Sequence, residues 1–224
     1  MPGNTTDELL PSERARFDEV CRFGQDKREQ IAETVALSFA DDPIWKWIYD
    51  ATETLPLETG IGLGRMLVAQ SMATDEIHGF RDYGAVALWT APVGDTSYVD
   101  RSELEARRDE RGAPYAVAFA EQIGERISLT MQLGEAMRSH RPEEPHWYLG
   151  ILGTHPDRQN QGLGSRVLQT MLDRCDQLGV PTFLESSNPR NYGFYQRHGF
   201  VQVDELTVVD SPPLLGFWRA ARRN

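Results

Sequence analysis

A short glycine-containing segment between an apolar strand and an amphipathic helix constrains this chain more than any other feature. Residues 147–153 are strand-like. Apolar residues then recur at helical spacing, namely Leu163, Val167, Leu168, Met171, Leu172, Cys175 and Leu178. Gln159, Gly162 and Gly164 lie at the junction. Glycines at a helix start leave unpaired backbone N–H groups open to an anion, which the helix dipole also attracts. The segment therefore predicts a site for a pyrophosphate.

The glycine spacing excludes two common phosphate-binding motifs, because neither GxGxxG nor GxxxxGK[ST] is present. Residues 159–164 instead have the pattern Gln-x-x-Gly-x-Gly. Residues 180–200 follow as a predicted strand, a loop, a short helix and a Gly-Phe turn into another strand. Together, these two blocks resemble the GNAT family of acyl-CoA-dependent acetyltransferases.

The resemblance implies an α/β GNAT fold, with a central mixed, twisted sheet of about seven strands, splayed between strands 4 and 5 and flanked by helices. It also implies acetyl-CoA as the cofactor. A free backbone N–H in the splayed strand would bind the developing oxyanion, and Gly153 would permit close approach. The matching cofactor positions are Leu152, Gly153, Thr154, Arg158, Gln159, Asn160, Gln161, Gly162, Leu163, Gly164, Ser165, Asn188, Asn191 and Tyr195.

Within that family the chain resembles the puromycin N-acetyltransferases and their actinobacterial relatives. The resemblance is close over residues 140–206 and patchy over residues 20–100. The chain departs from them at His155 and Asn160 and has a longer segment after Pro92. The resemblance implies direct acetyl transfer, in a ternary complex, to a primary amine of a small molecule. An aminonucleoside or another amine antibiotic is the implied acceptor.

Two residues are the candidates for proton transfer. The resemblance makes Tyr195 the acid that protonates the departing thiolate, with aromatic packing as the alternative. Glu185 is the candidate base, directly or through a water, because it ends a predicted strand where a carboxylate could face the cleft. The alternative for Glu185 is a structural carboxylate that pairs with Arg190 or caps the short helix.

The candidate acceptor pocket contains carboxylates and aromatic rings, which can hold a cation or stack on an aromatic acceptor. These residues are Asp41, Asp42, Trp45 and Trp89. The simpler interpretation of Asp41 and Asp42 is that they end a helix. The histidines show no metal-ligand spacing and no CxxC occurs, so we expect no metal.

Composition limits the class of protein. A chain of 224 residues with 40% hydrophobic content can bury one good core. It has no run of about 18 apolar residues and no evident signal peptide, so we expect no membrane partner. Two cysteines suit a reduced, cytoplasmic enzyme. The net charge of −11 argues against nucleic-acid binding. Five arginines against three acidic residues make residues 158–197 locally basic, which suits an anionic cofactor.

Residues 1–15 are expected to be a flexible tail and residues 16–224 a single domain. Residues 16–140 would form its acceptor half, with a helical insertion at about 101–140, and residues 141–224 its acetyl-CoA half. Within these halves, periodicity predicts the first strand at 20–23 and a helix capped by Asp26 and ended by 41–43. It also predicts a helix at 60–78, a strand at 84–89, helices broken at 112–114, and last strands at 206–209 and 214–218.

Two other functions stay open. The chain could acetylate a peptide or protein, for which a long open groove would be expected, whereas a closed aromatic pocket favours a small molecule. It could also be a non-catalytic acyl-CoA-binding regulatory module, against which the presence of Tyr195 and Glu185 argues. A monomer or a homodimer is expected.

Overall fold

A computed structural model describes residues 19–72, 76–92 and 101–222 of this chain. The expected tail at 1–15 lies outside these residues. Among the described residues, no helix is both long enough and apolar enough to cross a membrane.

The described strands form one mixed sheet in the order β1-β2-β3-β4-β5-β7-β6. Only β4 and β5 pair in parallel, and the other neighbours are antiparallel. This arrangement confirms the predicted seven-stranded mixed sheet. The strands are β1 Val20–Arg22, β2 Ile77–Phe80, β3 Ala85–Thr90, β4 Trp147–Thr154, β5 Thr182–Ser186, β6 Val201–Leu206 and β7 Leu214–Arg219.

Helices cover both faces of the sheet, and successive residues of β3 point alternately to the two groups of helices. Val86 and Leu88 join the core formed with α1 to α5, whereas Ala85, Ala87 and Trp89 join the core formed with α6 and α7. The two cores place the helices on opposite sides of β3. The helices are α1 Arg28–Ser38, α2 Pro43–Ile48, α3 Leu57–Ser71, α4 Arg101–Ile123, α5 Ile127–His140, α6 Leu163–Leu178 and α7 Pro189–Arg197.

The first helices differ from the prediction at their ends. Asp26 does not cap α1, because it lies inside a 3-10 turn and pairs with Lys27 at 2.9 Å. Helix α1 ends at Ser38, and Asp42 caps the following helix instead of stopping the preceding one. Pro43 is the first residue of α2, where a missing backbone N–H costs no helical hydrogen bond.

Other boundaries also move. Helix α3 ends at Ser71, and residues 77–78 belong to β2. Helix α4 continues through Pro114, because its packing along α3 overrides the local cost of a proline. The break comes at Gly124, whose φ of 56° is left-handed. The strand before β7 spans 201–206 instead of 206–209, since its register with β7 starts at Val201.

Candidate active site

The sheet opens between β4 and β5. These parallel strands pair only at their first residues, Trp147 with Thr182 and Tyr148 with Phe183. Strand β4 nevertheless has eight residues and β5 has five. Their outer edges pair with β3 and β7. Beyond the paired residues, the inner edges therefore carry backbone groups without a strand partner, which can bind a ligand.

Strand β4 carries a β-bulge beside this gap. Leu149 pairs with Trp89 and Ile151 pairs with Leu88, so Gly150 has no partner on β3. Gly150 is exposed and lines the cavity described below. A bulge leaves ladder groups unpaired and bends the strand. Gly150 is therefore a cavity-lining residue at the bulge, and the sequence did not single it out.

The N-terminus of α6 has the properties of an anion site. Its N-cap, Gly162, adopts a φ of 78°, and no side chain caps the helix. The hydrogen bond from Arg166 N–H to Gly162 O, 3.1 Å long, is a helical bond. The preceding N–H groups of Leu163, Gly164 and Ser165 therefore remain available to a ligand. The first turn has no acidic residue that would repel an anion.

Side chains of the preceding turn fix its shape. Arg158 forms a short ion pair with Asp82, and its Nε donates to Gln161 Oε1 at 3.1 Å. Gln159 Nε2 donates to a carbonyl at the end of β4 at 3.4 Å. Asn160 has a φ of 60°, a conformation that asparagine tolerates. The side chains of Arg158, Gln159 and Gln161 thus support the turn that presents α6.

Gly153 lies against helix α1, whereas the sequence predicted that it lies against the cofactor. A Cβ at Gly153 would lie 2.9 Å from Ser38 Oγ, so this glycine permits the close approach of α1 and not of a cofactor. Leu152 does line the cavity. Thr154 lies next to the start of α6, since a Cβ at Gly164 would be 3.1 Å from Thr154 Oγ1. Gly164 therefore lets α6 pack against the end of β4.

The two candidate asparagines have separate positions. Asn188 is the N-cap of α7, and its Oδ1 accepts from Arg190 N–H at 3.1 Å. Asn191 is exposed and lines the cavity. Asn188 therefore caps α7, whereas Asn191 is placed in the cavity wall.

A cavity of about 1120 Å³ extends from the gap toward the helices. Helices α3, α4 and α5 and the loop at 141–146 line it together with the facing parts of β4 and β5. Much of its wall is apolar and includes Phe39, Trp45, Ile48, Met66, Phe119, Met137 and Leu214. The helical insertion at 101–140 is thus part of the wall, and an apolar cavity of this kind suits a small organic ligand.

Glu185 lies on the cavity wall with a side chain that is only 3% exposed. Its Oε1 is 4.0 Å from Arg141 Nε, and the Arg141 guanidinium stacks 3.5 Å from the centroid of the Tyr148 ring. Burial raises the pKa of Glu185, while Arg141 and the nearby Tyr148 hydroxyl act to lower it. Neither carboxylate oxygen makes a well-formed hydrogen bond to a described residue, so both can accept a proton from a ligand.

The alternative structural roles predicted for Glu185 are wrong. Its charged neighbour is Arg141 and not Arg190. The cap of α7 is Asn188. The carboxylate is therefore placed in the cavity wall without serving the short helix.

Tyr195 lies on α7 and lines the same cavity. Its ring packs against Phe194, Phe200 and Phe217, with centroid distances of 5.3, 6.0 and 5.9 Å. Burial raises the pKa of the Tyr195 hydroxyl, and the charge of the nearby Asp42 carboxylate raises it further. Tyr195 therefore keeps its proton at neutral pH.

Asp42 connects α2 to the end of β5. Its carboxylate accepts from the backbone N–H groups of Ile44 and Trp45 at 2.9 and 3.3 Å. The Ser187 hydroxyl lies 3.0 Å from both of its oxygens and donates to it. Asp42 and Ser187 both line the cavity, so this cap is also part of the site wall.

The other predicted acceptor residues divide into two groups. Trp45 is buried and lines the cavity. Asp41 is exposed and accepts from the Thr54 hydroxyl at 2.7 Å, outside the cavity wall. Trp89 is fully buried in the core beneath α6, on the opposite face of the sheet. Asp41 and Trp89 were therefore wrongly placed, because alternation along β3 turns Trp89 away from the acceptor side.

Sequence reasoning missed several residues of the cavity wall. Four residues of the wall were not proposed as site residues, namely Arg108, Arg141, Tyr148 and Ser187. Tyr148 is buried, yet it underlies Arg141 in the cavity. Its neighbours in β4, Trp147 and Leu149, join the core beneath α6. Because successive residues of a strand point to opposite faces, this alternation was the signal that could have placed Tyr148 on the acceptor side.

Comparison with known proteins agrees with this geometry. Residues 85–200 match the model of the acetyltransferase (GNAT) family. An uncharacterised N-acetyltransferase of Schizosaccharomyces pombe is 34% identical over 185 residues, which cover 81% of this chain and 73% of that protein.

Solved structures share the fold at low sequence identity. One described as histone acetyltransferase HPA2 and related acetyltransferase, from Corynebacterium glutamicum, has a TM-score of 0.59 at 21% identity and covers 92% of this chain and 97% of its own. The Drosophila melanogaster polyamine N-acetyltransferase has a TM-score of 0.57 at 15% identity, and the match covers 90% of this chain and 99% of that chain.

The family match and the yeast relative agree with the splayed sheet and with the open N-terminus of α6. The family generally uses acetyl-CoA. The chain belongs to the acetyltransferase (GNAT) family and is an N-acetyltransferase.

Proposed function

We propose that this chain transfers the acetyl group of acetyl-CoA to a primary amine of a small molecule, with both substrates bound at once. One observation carries the proposal. Glu185 and Tyr195 face a single cavity that starts at the gap between β4 and β5. Holding the amine beside the acyl carbon in this cavity would remove most of the entropic cost of their encounter.

Two parts of the chain would bind acetyl-CoA in this proposal. The N–H groups at the start of α6 would bind the pyrophosphate, and open space surrounds the Cβ position of Gly162. The edge of β4 that faces the gap, beyond its two residues paired with β5, would bind the pantetheine and the carbonyl oxygen. Acetyl-CoA supplies an acyl thioester, which an amine can attack.

Glu185 and Tyr195 would then move the two protons of the reaction. A primary alkyl amine has a pKa of about 10 and is mostly protonated at neutral pH, so it needs a base before it can attack. Glu185 accepts that proton, directly or through a water. As the nitrogen–carbon bond forms and the carbon–sulfur bond breaks, Tyr195 donates its proton to the sulfur. The products are an N-acetylated amine and free CoA.

The residues that line the cavity favour a small acceptor over a peptide. Its wall combines apolar and aromatic side chains with residues of α4 and α5, which line the side away from the sheet. Together with the resemblance over residues 140–206, this makes an aminonucleoside or another amine antibiotic the first acceptor class to test. The Drosophila enzyme with the same fold is a polyamine N-acetyltransferase, which adds polyamines to the panel.

The proposal predicts that amines release free CoA from acetyl-CoA and gain the mass of one acetyl group. Puromycin, polyamines and aryl alkylamines form the panel. Tyr195→Phe should lower kcat about 100-fold with little change in the affinity for acetyl-CoA, because it removes a proton donor and not a binding group. Equal kcat in this variant would exclude Tyr195 as the acid. Tight binding of acetyl-CoA without turnover of any amine would favour the regulatory module.

A pair of substitutions at one position tests the anion site. Aspartate and asparagine have nearly the same size and both tolerate the left-handed backbone of Gly162, but only aspartate is charged. Gly162→Asp should weaken acetyl-CoA binding at least about tenfold more than Gly162→Asn, because its carboxylate would repel the phosphates. Calorimetric titration with CoA measures the difference. Equal affinity in the two variants would contradict the assignment of this turn.

The pH dependence tests Glu185 as the base. Arg141 lowers the pKa of Glu185, so Arg141→Met should raise that pKa. The carboxylate would then be protonated up to a higher pH, and the acidic limb of the kcat profile should move to higher pH.

Arg138→Met is the matched control, because Arg138 also lines the cavity but pairs with Glu135 at 2.7 Å. The profile is measured with two acceptors that differ in amine pKa. An acidic limb that moves with the acceptor is set by the amine, and one that stays in place is set by the enzyme. A limb that stays in place in Arg141→Met with both acceptors would exclude Glu185.

A further inference from the structure

Two of the arginines that line the cavity have no carboxylate within close ion-pair distance among the described residues. Three arginines line it, Arg108 on α4, Arg138 on α5 and Arg141 before β4. Arg138 pairs with Glu135 at 2.7 Å and is thereby balanced. Arg108 and Arg141 are the two whose charges lack such a close partner among the described residues.

Arg141 is held in place by contacts that do not satisfy its hydrogen bonds. Its guanidinium lies over the Tyr148 ring, and Glu185 is 4.0 Å away, at the outer limit of an ion pair. Its Nε is buried and makes no hydrogen bond to a described residue. A buried donor without an acceptor destabilises the protein, and an oxygen of a bound ligand would remove that cost.

Arg108 adds a second guanidinium beside the first. Burial lowers its pKa, and the positive charges of Arg141 and Arg138 lower it further, which shows that the three groups are close enough to repel. Carboxylates outnumber arginines in the cavity wall, and five of them are exposed: Glu105, Asp109, Glu135, Glu143 and Glu144. Solvent screens exposed charges, so these residues offset the buried repulsion only weakly.

We propose that the acceptor amine also carries a carboxylate, which Arg108 and Arg141 bind while the amino group faces Glu185 and Tyr195. Guanidinium groups bind carboxylates through paired charge-assisted hydrogen bonds, which fix orientation as well as position. The apolar wall formed by Phe39, Trp45 and Phe119 would cover the rest of the molecule. This inference rests on the proposed acetyl transfer and narrows its acceptor class to amino acids and related amino carboxylates. A polyamine or a neutral aminonucleoside lacks the carboxylate.

Matched acids and amides test the inference. Phenylalanine is compared with phenylalaninamide, and para-(aminomethyl)benzoate is compared with its primary amide. The carboxylate lies near the amine in phenylalanine and far from it in para-(aminomethyl)benzoate. Arg108→Met keeps the bulk of the side chain without its charge. Arg107→Met is the control, because Arg107 is on the same helix, pairs with Glu103 and does not line the cavity.

The expected result is a fall of at least about tenfold in the acid-to-amide ratio of kcat/KM in Arg108→Met, for at least one pair, and no change in Arg107→Met. The acid and the amide of a pair differ in amine basicity, which also affects kcat/KM. Because this effect is the same in the variant and the wild type, it cancels when their acid-to-amide ratios are compared. An acid-to-amide ratio that is the same in Arg108→Met and wild type for both pairs overturns the inference.

Calorimetry on the CoA-loaded protein decides the question without turnover. The N-acetylated acid of one pair should bind more tightly than its N-acetylated amide, and Arg108→Met should abolish the difference. Equal binding of acid and amide by the wild type in both pairs overturns the inference. Absence of CoA release with every amine overturns the proposed reaction instead, and the two failures are therefore distinguishable.

Discussion

The parting of β4 from β5 is the constraint on which the rest of this structure depends. Only two residue pairs hold the parallel strands together, and the bulge at Gly150 bends β4 beside the gap. Helix α6 begins after the far end of β4, and the cavity beneath α4 and α5 reaches the same gap. In the proposed reaction, the gap would give acetyl-CoA and the amine separate approaches to the same place.

Burial shifts the pKa values of the two proposed proton carriers in the same direction, but the charges of their neighbours act on these pKa values in opposite directions. The pKa values of Glu185 and Tyr195 are both raised by burial. Arg141 opposes this effect at Glu185, which favours a carboxylate that can accept a proton. Asp42 reinforces it at Tyr195, which keeps the hydroxyl protonated. One cavity can therefore hold both a base and an acid.

The sequence predicted the parts of the fold that local patterns determine. The glycine turn and the apolar face of α6 predicted the strand, the turn and the helix, because backbone conformation and helical spacing leave a direct mark. Side-chain partners were harder to predict. The neighbour of Gly153 is Ser38 and that of Glu185 is Arg141, each far away in the chain. Trp89 was misplaced because composition alone does not show which face of a strand meets the acceptor.

Amide hydrogen exchange with and without acetyl-CoA tests the central claim most directly, since it reports on the backbone groups that the gap leaves unpaired. The account predicts slower exchange in residues 149–154 and 163–166 when acetyl-CoA is bound. It predicts no change in the edge strand β6, which lies away from the gap. Unchanged exchange in both of the first two segments under saturating acetyl-CoA would contradict the account.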